Sequence, residues 1–189
     1  MSISASKNND ELKATVDIPN GIEIRLNDRI LEVKGPKGTV RKDLSKIPVD
    51  VSIDNNVLTI KPFIVKKAKR QHKAIVNTMQ SIVRNMIEGV QHGYTYKLKV
   101  VFAHFPITVK VKDKQVLIEN FIGERAPRIA KIVGDCKVTV EGEDIIVKGI
   151  SLEDVSQTAA NIENATRIKG KDLRVFLDGI YIYAKEKGM

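Results

Sequence analysis

Lys169, Lys171 and Arg174 place three cations within six residues near the C-terminal end of a 189-residue chain. Gly170 interrupts them, and the apolar run Val175-Phe176-Leu177, with Gly179-Ile180-Tyr181-Ile182 after it, follows directly. Cations on a glycine-containing loop, tied to a hydrophobic anchor, suit a phosphate-rich partner. The same pattern also describes an ordinary solvated turn. A second cluster runs from Lys61 to Lys73, with six cations (61, 66, 67, 69, 70 and 73) and no acid. Catalytic constellations are absent. No Gly-x-Ser-x-Gly elbow, Walker loop or His-Glu-x-x-His is present. His72, His92 and His104 lack ligand spacing, and with the single Cys136 they make a zinc site hard to build. Gly35-Pro36-Lys37-Gly38 lacks the Lys-Ser/Thr pair and the following helix of a phosphate loop, so it reads as a turn. No metal, cofactor, small-molecule substrate or enzyme activity is expected.

The formal net charge is +9 and the isoelectric point about 9.6. Such an excess favours a polyanionic partner, nucleic acid ahead of an anionic membrane. Apolar residues make up 42%, enough for a packed core. One cysteine fits a reducing compartment. No signal-peptide run and no transmembrane stretch is read, so the chain is expected to be soluble and intracellular. Aromatic residues are only 5%, without tryptophan. The paired stacking aromatics of an RNA recognition motif are not apparent, and a partner RNA would be read through shape and phosphates.

The elements that must carry these cations follow from periodicity. Alternation predicts strands at 22–26, 30–33, 39–44, 49–53 and 57–60. From Lys66 to Met86 the period becomes helical. Ala68, Ile75, Met79, Ile82 and Met86 fall on the core face, and Lys66, Lys69, Arg70, Lys73, Asn77, Gln80 and Arg84 lie opposite. Gly89 is expected to end this helix. The second half predicts strands at 94–102, 107–111, 116–119, 138–140 and 145–147, then a helix from Ser151 or Leu152 to about Thr166. Ile18-Pro19 matches Phe105-Pro106, and Val51-Ser52-Ile53 matches Val138-Thr139-Val140, at one shift of 87. Ile22-Glu23-Ile24 with Val109-Lys110-Val111, and Ile75 with Ile162, share that shift. The fold class is therefore α+β: two tandem duplicated modules, each a small, mainly antiparallel sheet packed against one helix. The expected boundaries are an N-terminal extension at 1–13, a first module at 14–90 and a second at 91–189. The second helix carries Glu153, Asp154, Gln157, Asn161 and Asn164 where the first carries cations. The basic face of the first helix is either a solvated face or a phosphate-contacting stripe.

Four segments carry a family resemblance: Val33-Lys34-Gly35-Pro36-Lys37-Gly38, Asn85-Met86-Ile87-Glu88-Gly89-Val90, Ala103-His104-Phe105-Pro106, and Lys171-Asp172-Leu173-Arg174-Val175-Phe176-Leu177-Asp178-Gly179-Ile180-Tyr181-Ile182. The chain resembles the universal large-subunit ribosomal protein six family, in its eukaryotic form (protein nine of the 60S subunit in eukaryotic naming). It keeps Lys169-Gly170-Lys171 of the bacterial branch but has Asp172 where a second glycine would stand. The resemblance implies a structural constituent of the large (60S) subunit. It implies binding to large-subunit ribosomal RNA near the sarcin-ricin loop and stalk base, beside neighbouring ribosomal proteins. It also implies a cytoplasmic, ribosomal location, with passage through the nucleus and nucleolus during assembly. It ranks the C-terminal stretch above the basic helix as an RNA site. Lys169, Lys171 and Arg174, supported by Arg167, are expected to neutralise phosphates, and Phe176, Ile180 and Tyr181 to hold the loop on the module. Lys66, Lys69, Arg70 and Lys73 rank second. The competing reading is a protein–protein adaptor, which would require the Met79, Ile82 and Met86 stripe to be partly exposed.

Overall fold

Alternating side chains build the sheets. In the strand Ile30–Gly35, Leu31 and Val33 are buried while Ile30 and Lys34 face water, the period-two pattern of a half-covered antiparallel sheet. A computed structural model describes residues 12–63, 69–172 and 174–189. They fall into two compact units, Met1–Gln91 and His92–Met189.

The first unit holds strands β1 (Ala14–Asp17), β2 (Glu23–Asn27), β3 (Ile30–Gly35), β4 (Gly38–Asp43), β5 (Val49–Asp54) and β6 (Val57–Pro62), then helix α1 (Lys69–Gln91). The strands form two antiparallel three-stranded sheets, in the orders β1-β6-β5 and β2-β3-β4. Two hairpins close through two-residue turns with positive φ: Asp28–Arg29 (45° and 67°) and Asn55–Asn56 (43° and 65°), the twist that suits tight antiparallel loops. Arginine is an unusual choice for a left-handed position. Tertiary bonds hold it there. The Arg29 guanidinium donates to the carbonyls of Leu44, Ile47 and Val49 at 2.7, 2.7 and 3.2 Å and lies 4.6 Å from the Phe63 ring centre.

Helix α1 covers these sheets with Val76, Met79, Val83, Met86, Ile87 and Val90. The expected stripe is displaced: Ile75 and Ile82 are only half-buried, and Ala68 lies outside the described residues. Gly89 does not end the helix but is buried inside it. A glycine in a helix interior costs about 1 kcal/mol against alanine. Burying Ile87 and Val90 returns roughly 1.5–3 kcal/mol each, so packing overrides the stop signal. The Gly35–Gly38 segment is a hairpin turn, as read. It docks on the last turn of α1, with Lys37 N donating to Val90 O at 3.0 Å. A Cβ on Gly35 would meet Val90 at 2.7 Å, so this close approach requires glycine.

The second unit holds β7 (Tyr94–Val101), β8 (Thr108–Lys112), β9 (Gln115–Glu119), β10 (Arg128–Lys131), β11 (Lys137–Glu141), β12 (Asp144–Gly149), helix α2 (Leu152–Ala165) and β13 (Gly179–Lys187). Its sheets run β10-β9-β8 and β11-β12-β7-β13, all antiparallel. The Ser151 hydroxyl caps α2 by accepting from Asp154 N at 3.3 Å, with Glu153 and Asp154 in the first turn. Val155, Thr158, Ala159 and Ile162 are buried, and Leu152 is half-buried.

The fold is thus two tandem sheet-and-helix modules of α+β class, each with two small sheets. The single shift of 87 holds for one hairpin only. Leu58 and Ile60 of β6 correspond to Ile145 and Val147 of β12 at 87, with matching burial and pairing. Leu31 and Val33 of β3 correspond to Val116 and Ile118 of β9 at 85. The buried positions of α2 repeat the spacing of Val83, Met86, Ile87 and Val90, 72 residues earlier, and Ile75 is not the equivalent of Ile162. Loop-length differences between hairpins and the longer N-terminal half of α1 absorb these shifts. Among the described residues, β13 has no counterpart in the first unit.

Candidate nucleic-acid interface

The stretch from Thr166 to Ile180 leaves α2 and enters β13, and polar contacts fix it at both ends. Thr166 is buried. Its hydroxyl donates to Glu163 O at 3.0 Å and accepts from Ile180 N at 2.9 Å, tying the helix end to the strand start. Arg128, on β10, donates Nη1 to the carbonyls of Ala165 and Arg167 at 2.9 and 3.2 Å. A cation there meets the negative end of the helix. The Glu124 carboxylate binds the other side of that guanidinium at 2.8 and 2.6 Å, and the Phe121 ring lies 4.3 Å beneath it. The hydrogen bond to Glu124 raises the arginine pKa further above its ordinary value.

At the far end, Asp178 is 1% exposed. It accepts from Ala103 N at 2.8 Å, His104 N at 3.3 Å and the His104 ring at 3.0 Å. Burial alone would raise its pKa, but these donors outweigh burial and hold it below the ordinary carboxylate range. Phe176 is half-buried. Its ring lies 5.2 Å from His104 and carries the Lys171 ammonium at 4.6 Å. Ile180 is fully buried. Tyr181 does not join the core. The residue is 45% exposed, and its ring folds over Gly179 and donates its hydroxyl to Leu177 O at 3.1 Å. The register of β13 turns position 181 toward the open sheet face, opposite Lys99.

Between these anchors Arg167, Lys169, Lys171 and Arg174 are all exposed. The first three line one groove of about 550 Å³, together with Ile122, Ile129, Ile168 and the Arg128–Glu124 pair. Gly170, at φ +71°, gives the turn between the two lysines. Arg174 stands apart from the groove. It is bound to Asp172 through Nε at 3.1 Å and Nη2 at 2.8 Å, and that hydrogen bond lowers the Asp172 pKa. Asp172 competes with any other anion for Arg174, and three of the four expected cations line the groove.

Of the second-rank cations, Lys66 and the side chain of Lys69 lie outside the described residues, as does Leu173. Arg70 and Lys73 are exposed near the start of α1, where the first described turn has no acid. Cations at the positive end of a helix cost the free chain about 0.3–1 kcal/mol each, the reverse of the arrangement in α2. Met79 and Met86 are buried beneath this face. Among the described residues, no three His, Cys, Asp or Glu side chains converge as metal ligands, and no helix is long and apolar enough to cross a membrane. Cys136 is half-buried, and burial pushes its thiol up to about 11.

Arg128, Thr166 and Asp178 hold the loop through partners that residue spacing does not reveal: Ala165 and Arg167 lie 37 and 39 residues from Arg128, Ile180 lies 14 from Thr166, and Ala103 and His104 lie 75 and 74 from Asp178. Asp178 and His104 sit in two different segments that carry the family resemblance, and those segments meet here.

Comparison with known proteins bears on the same two units. The family profile described as "Ribosomal protein L6" matches residues 18–93 and 105–179. A large ribosomal subunit protein uL6 of Staphylothermus marinus is 51% identical over 172 residues, covering 89% of this chain and 91% of its own. The uL6 protein of Desulfurococcus amylolyticus is 48% identical over 177 residues, 92% and 95%. That of Methanobrevibacter smithii is 46% identical over 176, 93% and 97%. On this match across both units, the chain belongs to the ribosomal protein L6 family.

Proposed function

We propose that this chain is a structural, non-catalytic constituent of the large ribosomal subunit, and that it binds large-subunit ribosomal RNA through the Arg167–Lys171 loop. One observation carries the reading: three exposed cations line a single groove on a loop pinned at both ends. Pinning matters because a preorganised loop loses less conformational freedom on binding. Phosphate neutralisation by such cations releases counterions and supplies most sequence-independent affinity. Arg174 and the α1 cations Arg70 and Lys73 contribute less, the first because Asp172 competes for it.

The family resemblance supports a location near the sarcin-ricin loop and the base of the stalk, among neighbouring large-subunit proteins. In a nucleated cell the same assignment carries passage through the nucleolus during assembly. Hydroxyl-radical footprinting of large-subunit RNA tests the placement. Wild-type chain is expected to protect nucleotides of that region, and the Arg167→Ala/Lys169→Ala/Lys171→Ala variant to lose that protection. Protection confined to other regions rejects the placement. The adaptor reading needs the Met79, Ile82 and Met86 stripe to be partly exposed; burial of both methionines, with Ile82 half-buried, favours the RNA reading.

A further inference from the structure

Six large apolar side chains are exposed together at one end of the β7–β13 pair. They are Val101 (39%), Phe102 (41%), Val175 (58%), Leu177 (58%), Tyr181 (45%) and Tyr183 (56%). Their contiguity follows from pairing and bonds. Val101 lies opposite Gly179 in the ladder. The Tyr181 ring covers Gly179, where a Cβ would come within 3.0 Å of it, and its hydroxyl reaches Leu177 O. Phe102 precedes Ala103, whose N–H binds Asp178. The turn that presents Val175 is closed by its N–H to Asp172 O at 3.1 Å. A buried carboxylate therefore organises a surface whose apolar groups face out. Clustered exposure of this kind marks an interaction site rather than the scatter found on any surface.

The surrounding charges identify the partner class. The two β7 lysines nearest the patch are each matched by an acid: Lys97 with Glu186 at 2.7 Å, and Lys99 with Glu143 at 3.2 Å and Asp144 at 3.7 Å. Lys171 is engaged over Phe176. Phosphates arriving here would meet those carboxylates. Half of the patch, Val101, Val175 and Leu177, is aliphatic, and aliphatic area mixed with Phe and Tyr is the composition of a protein interface core. Beside the patch, exposed cations without an acid partner lie on the loop side, at Lys169 and Lys171. An apolar centre, a balanced flank and one basic edge match a protein surface better than a nucleic acid.

We propose that this patch is a docking surface for a neighbouring protein that is apolar at its centre and polar where it meets the Lys97–Glu186 and Lys99–Asp144 pairs. This goes beyond the RNA contact and uses different residues. The test compares two substrates for the full chain: large-subunit particles stripped by salt of this chain alone, and protein-free large-subunit RNA. Val175→Ser/Leu177→Ser is expected to lower affinity for the stripped particles about tenfold and to leave affinity for the RNA within twofold. Both side chains are more than half exposed, so native melting should be kept. Tyr183→Ser, on the strand rather than the loop, should give a smaller loss on the particles alone. Equal losses on both substrates would mean that RNA covers the patch and would overturn the proposal. No loss on the particles overturns it as well. Failure of the wild-type chain to bind protein-free RNA would sink the RNA reading without touching the particle comparison.

Discussion

Asp178 does more for the C-terminal loop than any of its cations. The carboxylate is out of water, and three donors from Ala103 and His104 satisfy it. Removing it in Asp178→Ala takes a charged acceptor from Ala103 N, His104 N and the His104 ring, all on exposed residues, and a hydrogen bond to a charged group is worth about 1.5–3 kcal/mol. We expect a total loss on the order of 3 kcal/mol, read by urea denaturation, and weakened RNA binding because the loop is released. The pH dependence has a defined sign. The native pKa is depressed, so Asp178 contributes stability above its unfolded value of about 3.9. That contribution is lost as pH falls through the native value. The stability gap between wild type and Asp178→Asn should be widest near neutrality and shrink below about pH 4. A gap that grows on acidification contradicts the assignment. Cys136 offers a separate check. With its thiol pushed up to about 11 by burial, the thiolate fraction at neutral pH is small. Thiol reagents should label it slowly in the native chain and rapidly in denaturant.

At the scale of elements, the α2–β13 connection behaves as a clamped loop. Arg128 joins β10 to the last carbonyls of α2 and is itself held by Glu124 and Phe121. Arg128→Ala removes a helix-end cation and two carbonyl bonds at once. Faster amide exchange at positions 167–172 is expected, with the core of α2 unchanged. Unchanged exchange in the loop would show that Thr166 and Asp178 suffice. Helix α1 presents the opposite electrostatic design, with Arg70 and Lys73 near its positive end and no acid to offset them. Hairpins were legible in the sequence because alternation and turn residues are local signals. β10 was missed because Arg128-Ile129-Ala130-Lys131 is short and its partner β9 lies beyond a 3-10 turn at Phe121–Gly123. β13 was read only as an anchor, since its pairing with β7 spans some 80 residues. The Gly89 stop signal failed because tertiary burial outweighed a propensity of about 1 kcal/mol.

Across the whole chain, the duplication was legible and its arithmetic was not. One shift of 87 described a hairpin, while the other hairpin and the helices follow 85 and 72. Internal insertions change register without changing the pattern that reveals a repeat. The basic loop was legible as charge. Its groove, the withdrawal of Arg174 by Asp172 and the outward turn of Tyr181 depend on contacts that spacing does not encode. The central claim is that Arg167, Lys169 and Lys171 act together on phosphates. The direct measurement is the salt dependence of binding to protein-free large-subunit RNA for wild type, Arg167→Ala/Lys169→Ala/Lys171→Ala, and Arg174→Ala. Each lost phosphate contact lowers the logarithmic slope by about 0.7–0.9, the range between single strands and a DNA duplex. The triple variant is expected to flatten the slope by roughly 2–3, and Arg174→Ala by clearly less than one contact. A triple variant with the wild-type slope would contradict the account.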